Sequence, residues 1–389
     1  MKLADRMSRL GTESAFDVLA RARNLEAQGR DIVHLQIGEP DFDTPRHIID
    51  AGADALRNGF THYGPALGLP QLRDAIAEYV SRTRGIDVGR DRVCVSPGGK
   101  PIMSWTIEAL CQEGDEVIIP NPSYPIYESM ANFSGATVVP LPILEERAFT
   151  FDPQDLRERL SPKTKLVVLN SPANPTGGFF GKESIEQIAD VLRGHDCYIL
   201  SDEIYSRMIY GGEHYSIASE PGMLDRTVIL DGFSKTYAMT GWRLGYGVFP
   251  AELIPHIERL AVNYVSCTNA ATQVAGVAAL TGPQDDVEAM VVEFEKRRNL
   301  IVDGLNALPG ITCQKPLGAF YVFPNVSKLG VTSKQLADRL LDEAGVAVLA
   351  GTAFGEYGEG YLRLSYANSI PNIEKALERI GTVARELAG

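Results

Sequence analysis

The sequence predicts an α/β fold: a large domain with a mostly parallel sheet flanked by helices, joined to a smaller α+β domain. Three observations carry that expectation. Through the middle of the chain, short β-rich runs alternate with longer helical patterns, an order that right-handed crossovers turn into a layered sheet. Several runs, among them "TKLVVLNSP" and "TVILDGFSK", are apolar at nearly every strand position, which suits burial on both faces. After Pro250 the alternation loosens into a long helical region, 251–308, followed by less regularly interleaved strands and helices.

Element by element, "RVCVSPGG" is a strand ending in glycines before the helical "KPIMSWTIEALCQEG". "DEVIIP" precedes "SYPIYESMANFSG" and then "ATVVPLP". "TKLVVLN" leads to a helix over Lys182–Arg193, and "CYIL", "TVIL" and "LGYGVFP" complete the strand set. Beyond them come "AFYVFP", a helix from Ser333, and "GYLRLSYA". The segment "DIVHLQIGEPDFDTP" precedes the large domain and is expected to join the smaller one. The boundaries so drawn are 46–284 for the large domain, with 1–45 and 285–389 forming the small one.

Composition narrows the function. With 389 residues, 44% hydrophobic and 22% charged, the chain is long enough for one or two sizeable cores. A net charge of −13 and a pI near 5.0 argue against nucleic acid as the main partner. The 5 cysteines are scattered without CxxC or clustered histidines, so neither a metal site nor a disulfide framework is expected, and reduced, buried thiols are. The first residues mix charges with no apolar core of a leader, and no apolar run is long enough to span a bilayer. The expectation is a cytoplasmic protein with no membrane partner.

In open α/β sheets, ligands sit beyond the carboxyl ends of the strands, so the residues just after each apolar run matter most. Gly98, Gly99 and Lys100 open a helix and could cradle an anion, although taken alone they read first as a tight strand-to-helix turn. No phosphate-binding P-loop or dinucleotide fingerprint is present. "NSPANPTGG" (170–178) holds two X-Pro steps that predict an extended, rigid loop orienting the Asn174 amide. Asp202 in "SDEIY" is either a helix cap or the partner of a cationic ring nitrogen, with Tyr205 facing the same side. In "GFSKTYAMTGWR", Lys235 stands in uncharged surroundings that would lower its pKa and keep it nucleophilic. Ser234 and Arg243 beside it suit a phosphate dianion.

These segments together resemble the class I/II aminotransferases, pyridoxal-phosphate enzymes of fold type I. "IGEPDFDTP" (37–45), "THYGPALGLPQLRDAIA" (61–77), "GDEVIIPNPSYPIY" (114–127), "NSPANPTGG", "LSDEIYSRMIY" (200–210), "SKTYAMTGWRLGY" (234–246), "PLGAFYVFP" (316–324) and "YLRLSYA" (361–367) occur in the family's order. The resemblance implies that Lys235 holds the cofactor as an internal aldimine and shuttles a proton between substrate Cα and cofactor C4′. It implies that Asp202 keeps the pyridine nitrogen protonated, making the ring a better electron sink, and that Asn174 and Tyr205 hydrogen-bond the phenolic oxygen. Tyr124 would stack on the ring, while Gly99, Lys100, Ser234 and Arg243 would cradle the phosphate. Tyr63 would reach the phosphate of a partner subunit, implying a two-fold homodimer. Arg363 would grip the substrate α-carboxylate in bidentate fashion, with Gly38 and Asn174 also on the substrate.

The activity so implied is transfer of an amino group between an L-amino acid and a 2-oxo acid, with glutamate and 2-oxoglutarate as one couple. Fold type I also hosts lyases, decarboxylases and synthases; Arg363 accompanying the other motifs favours transamination. For the substrate side chain, Lys100 is one candidate cation, whereas Phe16 in "SAFDVLA" favours apolar or aromatic partners and departs from the small hydroxyl residues of aspartate-selective relatives.

Overall fold

A computed structural model describes residues 3–388. In chain order the strands are β1 (Val33–His34), β2 (Val93–Ser96), β3 (Glu116–Asn121), β4 (Thr137–Pro142), β5 (Thr164–Asn170), β6 (Tyr198–Asp202), β7 (Thr227–Gly232) and β8 (Gly245–Val248). The last seven form one sheet in the order β2-β8-β7-β6-β5-β3-β4. Neighbours run parallel except at β8, which opposes both β7 and β2. A parallel return needs a crossover of a dozen or more residues, usually a helix. The chain between β7 and β8 is spent instead on the turns that carry Lys235, so β8 comes back antiparallel.

Away from its β4 edge the sheet is largely buried on both faces, as its apolar runs require. Along β7, Val228 and Leu230 pack with Leu166, Val168 and Leu200 on one face, while Ile229 packs with Val93, Val95 and Val248 on the other. Along β5, Val167 and Leu169 face a further cluster with Ile188 and Leu192 of the helix Lys182–Arg193. The alternation is the two-residue period of a strand, read out against helices on each side.

The remaining strands are β9 (Tyr321–Val322), β10 (Val346–Ala347), β11 (Leu349–Ala350) and β12 (Leu362–Ser365). β11, β12 and β9 make a three-stranded antiparallel sheet, and β10 pairs in parallel with β1 through Val33 and Val346. The N–H of Ser365 donates to the Leu35 carbonyl at 2.8 Å. The helical region after Pro250 divides into helices Ile254–Val265, Ala270–Thr281 and Asp285–Asn306. Asn269 caps the second of these by accepting the Thr272 N–H at 2.9 Å, and Gly282-Pro283 ends it.

Candidate active site

A cavity of about 790 Å³ opens beyond the carboxyl ends of β2, β5, β6 and β7 and is roofed by residues of β11 and β12. Its walls bring together almost every residue singled out above. Gly99 lies after β2 and Lys100 opens the helix that follows it, Tyr124 lies after β3, Asn174 after β5, and Asp202 ends β6 with Tyr205 just beyond. Ser234, Lys235 and Arg243 follow β7, and Gly38 and Arg363 come from the two ends of the chain. Tyr63 does not line this cavity; its side chain is 91% exposed.

Lys235 is half-buried, and its Nζ donates to the Gly38 carbonyl at 2.5 Å. Phe233 and Met239 are fully buried beside it in sequence, and the Phe320 ring centroid lies 5.9 Å from the amine. Burial lowers its pKa to about 8, with Arg363 and Arg243 adding to the shift and Glu39 opposing it. An amine so placed is a nucleophile and a base near neutral pH.

Asp202 is 5% exposed. Its Oδ2 accepts the Tyr127 hydroxyl at 2.5 Å and its Oδ1 accepts the Ile204 N–H at 3.2 Å. It forms no ion pair with any cation among the described residues, and burial raises its pKa to about 6 despite those hydrogen bonds. Asn170, level with Asp202 in the parallel register, donates to the Asp202 carbonyl and accepts the Asn174 N–H. The loop between is not extended, as the prolines suggested. Gly177, at φ +68, turns the chain so that its N–H donates to the Ala173 carbonyl at 2.8 Å.

Arg363 is held differently. Its guanidinium lies between the rings of Tyr321 and Phe354, 4.6 and 4.9 Å from their centroids, and donates to the Asn174 side-chain oxygen at 3.2 Å and to the Gln36 carbonyl. Its buried Nε has no hydrogen-bond partner among the described residues. Beneath it the Tyr321 and Tyr205 hydroxyls are 2.8 Å apart. A Cβ on Gly38 would stand 2.0 Å from the Tyr321 hydroxyl, so only glycine fits there.

At the opposite end, Arg243 adopts φ +56 and turns its guanidinium over the loop after β2, donating to the Thr240 carbonyl at 2.8 Å. A Cβ on Gly98 would stand 2.2 Å from Nη2, and Gly98 itself is at φ +89. The glycines therefore do more than turn the chain. They let an arginine and the N-terminus of the helix Lys100–Leu110 converge with Ser234 on one corner of the cavity, an arrangement that attracts an anion.

The Lys100 ammonium points elsewhere, into the cavity mouth. It pairs with Glu13 at 2.5 Å and lies 5.9 Å from both the Phe16 and Tyr124 ring centroids. Glu13, Tyr127, Tyr321 and Phe354 also line the cavity, and the sequence did not single them out. Only Tyr127 carried a readable signal, standing one helical turn from Tyr124 in "YPIY".

One cavity thus holds a half-buried amine, an arginine corner that attracts an anion, a buried carboxylate without an ion-pair partner among the described residues, and an arginine set against two rings. The family model for class I and II aminotransferases matches residues 30–380. An aspartate aminotransferase of Geobacillus stearothermophilus is 40% identical over 387 residues, 98% of either chain. An aromatic-amino-acid aminotransferase of Thermococcus litoralis is 37% identical over 390 residues, 99% of either chain. The solved structure of Thermus thermophilus aspartate aminotransferase with maleate superposes with a TM-score of 0.95 at 39% identity, covering 98% of this chain and 100% of that one. The chain belongs to the class I and II aminotransferases, and it is a pyridoxal-phosphate-dependent transaminase.

The residues present fit that cofactor. Asp202 lacks a cationic partner that a protonated pyridine nitrogen would supply, the Arg243 corner suits a phosphate, and Lys235 has the amine for the aldehyde.

Proposed function

We propose that this transaminase uses glutamate and 2-oxoglutarate as one of its couples, and that Lys235, Asp202 and Arg363 carry the reaction. When bound, pyridoxal phosphate supplies an electron sink that acidifies the Cα–H of the amino acid. Lys235 Nζ moves the proton off Cα, its pKa of about 8 leaving a useful fraction unprotonated near neutrality. Asp202 would hold a proton on the pyridine nitrogen, and Tyr205 and Asn174 would donate toward the phenolic oxygen. Tyr124 would stack on the ring, while Gly99, Lys100 through its backbone, Ser234 and Arg243 would hold the phosphate.

Arg363 takes the α-carboxylate together with Gly38 and Asn174. The observation that carries this assignment is the buried Nε of Arg363, left without a partner while its planar fork is clamped between two rings. The wide exposure of Tyr63 supports a two-fold homodimer in which it serves the partner's site. Residues 46–284 form one domain and 1–45 with 285–389 the other, a division supported by the β1–β10 pairing. Free, buried thiols such as Cys94 and Cys313 fit a cytoplasmic setting.

The test is a half-reaction panel. Cofactor-loaded enzyme is mixed with single amino acids, the 2-oxo acid formed is measured, and 2-oxoglutarate is then added. Stoichiometric 2-oxo acid followed by glutamate is expected. Release of ammonia without any keto acceptor would overturn the assignment.

A further inference from the structure

A transaminase must admit two different side chains, one after the other, into the same cavity. A cation serving an acidic side chain would then face a neutral one uncompensated, and covering even a half-exposed ammonium with an apolar side chain strips part of its hydration. The Lys100 ammonium is the cation at issue here. It does not stand free but pairs with Glu13 at 2.5 Å, against the Phe16 and Tyr124 rings.

Glu13 occupies the N-cap position of the helix Ser14–Ala27, where a side-chain oxygen could accept a free backbone N–H of the first turn. It makes no such bond. It crosses instead to the helix Lys100–Leu110, and it lies near enough to Tyr124 to reinforce burial in raising that phenol's pKa. The Glu13 side chain is only 15% exposed, so its charge is directed into the cavity mouth.

We infer that Glu13 is a specificity-determining residue that competes with the distal carboxylate of an acidic substrate for the Lys100 ammonium. With a neutral or aromatic side chain, Glu13 keeps Lys100 neutralised. With a dicarboxylic substrate, the substrate's own carboxylate takes Glu13's place. The pair thus biases the enzyme toward uncharged side chains while leaving dicarboxylates admissible. This inference rests on the transaminase reading above and names the substrate class within it.

Glu13→Gln removes the competitor. The ratio of kcat/KM for L-glutamate over L-phenylalanine should rise about fivefold, equivalent to about 1 kcal/mol. The Kd of maleate, a dicarboxylate without an amino group, should fall by the same factor. Glu13→Asp keeps the charge and should leave both closer to the parent than Glu13→Gln does, whereas Lys100→Met should abolish the response to Glu13→Gln. A ratio and a maleate Kd both within about 1.5-fold of the parent in Glu13→Gln would overturn the inference. Maleate binding reports on Glu13 even if no amino acid were converted, so failure of the transaminase reading stays distinguishable.

Discussion

The Tyr127 hydroxyl donates to Asp202 at 2.5 Å, and that bond opposes the burial that raises the carboxyl pKa to about 6. Hydrogen bonds to charged groups contribute roughly 1.5–3 kcal/mol. Tyr127→Phe should therefore push Asp202 further toward its neutral form and weaken pyridoxal phosphate binding by about 10- to 100-fold, measured by absorbance titration at pH 7.5. A Kd within twofold of the parent would remove Tyr127 from the site.

Asp202 also makes a stability prediction for the cofactor-free protein. Between the ordinary aspartate value of 3.8 and about 6, the folded chain holds a proton that the unfolded chain has released. Stability therefore falls as pH rises through that window. Asp202→Asn should stabilise the cofactor-free protein at pH 8 by up to about 3 kcal/mol and have little effect near pH 3.5, as read by denaturant unfolding at the two pH values.

Lys235 works in the opposite range. Between about 8 and 10.5 the unfolded chain keeps a proton that the folded one has given up, so stability rises with pH there. Lys235→Met should stabilise the cofactor-free protein at pH 7, with the gain fading as pH approaches 10.5. The same variant should lose at least about 10³-fold in turnover, within the range of a general base. Near-parental activity would place the reacting amine elsewhere.

Gly38→Ala would drive a methyl group onto the Tyr321 hydroxyl, 2.0 Å from the new Cβ, and disturb the carbonyl that receives Lys235. A loss of about 1–3 kcal/mol in stability is expected from overpacking, together with reduced activity. Adding Tyr321→Phe should recover only part of the stability, because the ring carbon Cζ would still be 2.9 Å away. Full recovery would show that the hydroxyl alone sets the glycine requirement.

Behind the site, Arg84 binds Glu203 at 2.9 Å and Asp231 at 2.6 Å, tying the end of β6 to β7. Burial disfavours the Arg84 charge, and the two carboxylates more than offset it. Arg84→Met leaves two buried anions and should cost about 3–5 kcal/mol in urea unfolding. Glu203→Gln in the same chain should restore part of that loss; an unaltered midpoint in Arg84→Met would show that the pair adds nothing.

What the sequence determined by itself was local. The cores of two β-rich runs, "LVVL" in 166–169 and "VIL" in 228–230, are apolar at every position, the pattern of strands buried on both faces. Parallel strands put their carboxyl ends on one edge, and Asn174, Asp202 and Lys235 follow such ends, so their convergence was legible in one dimension. Tertiary structure decided the contacts between distant segments. Tyr205 meets Tyr321 across 116 residues, Lys100 meets Glu13 across 87, and Tyr127 meets Asp202 across 75. No periodicity encodes such pairs, because each depends on how separately folded layers pack and on which side chains fill the space between them. The antiparallel β8 belongs to the same class: its apolar run was plain, but its direction came from the turns that hold Lys235 in place of a crossover helix.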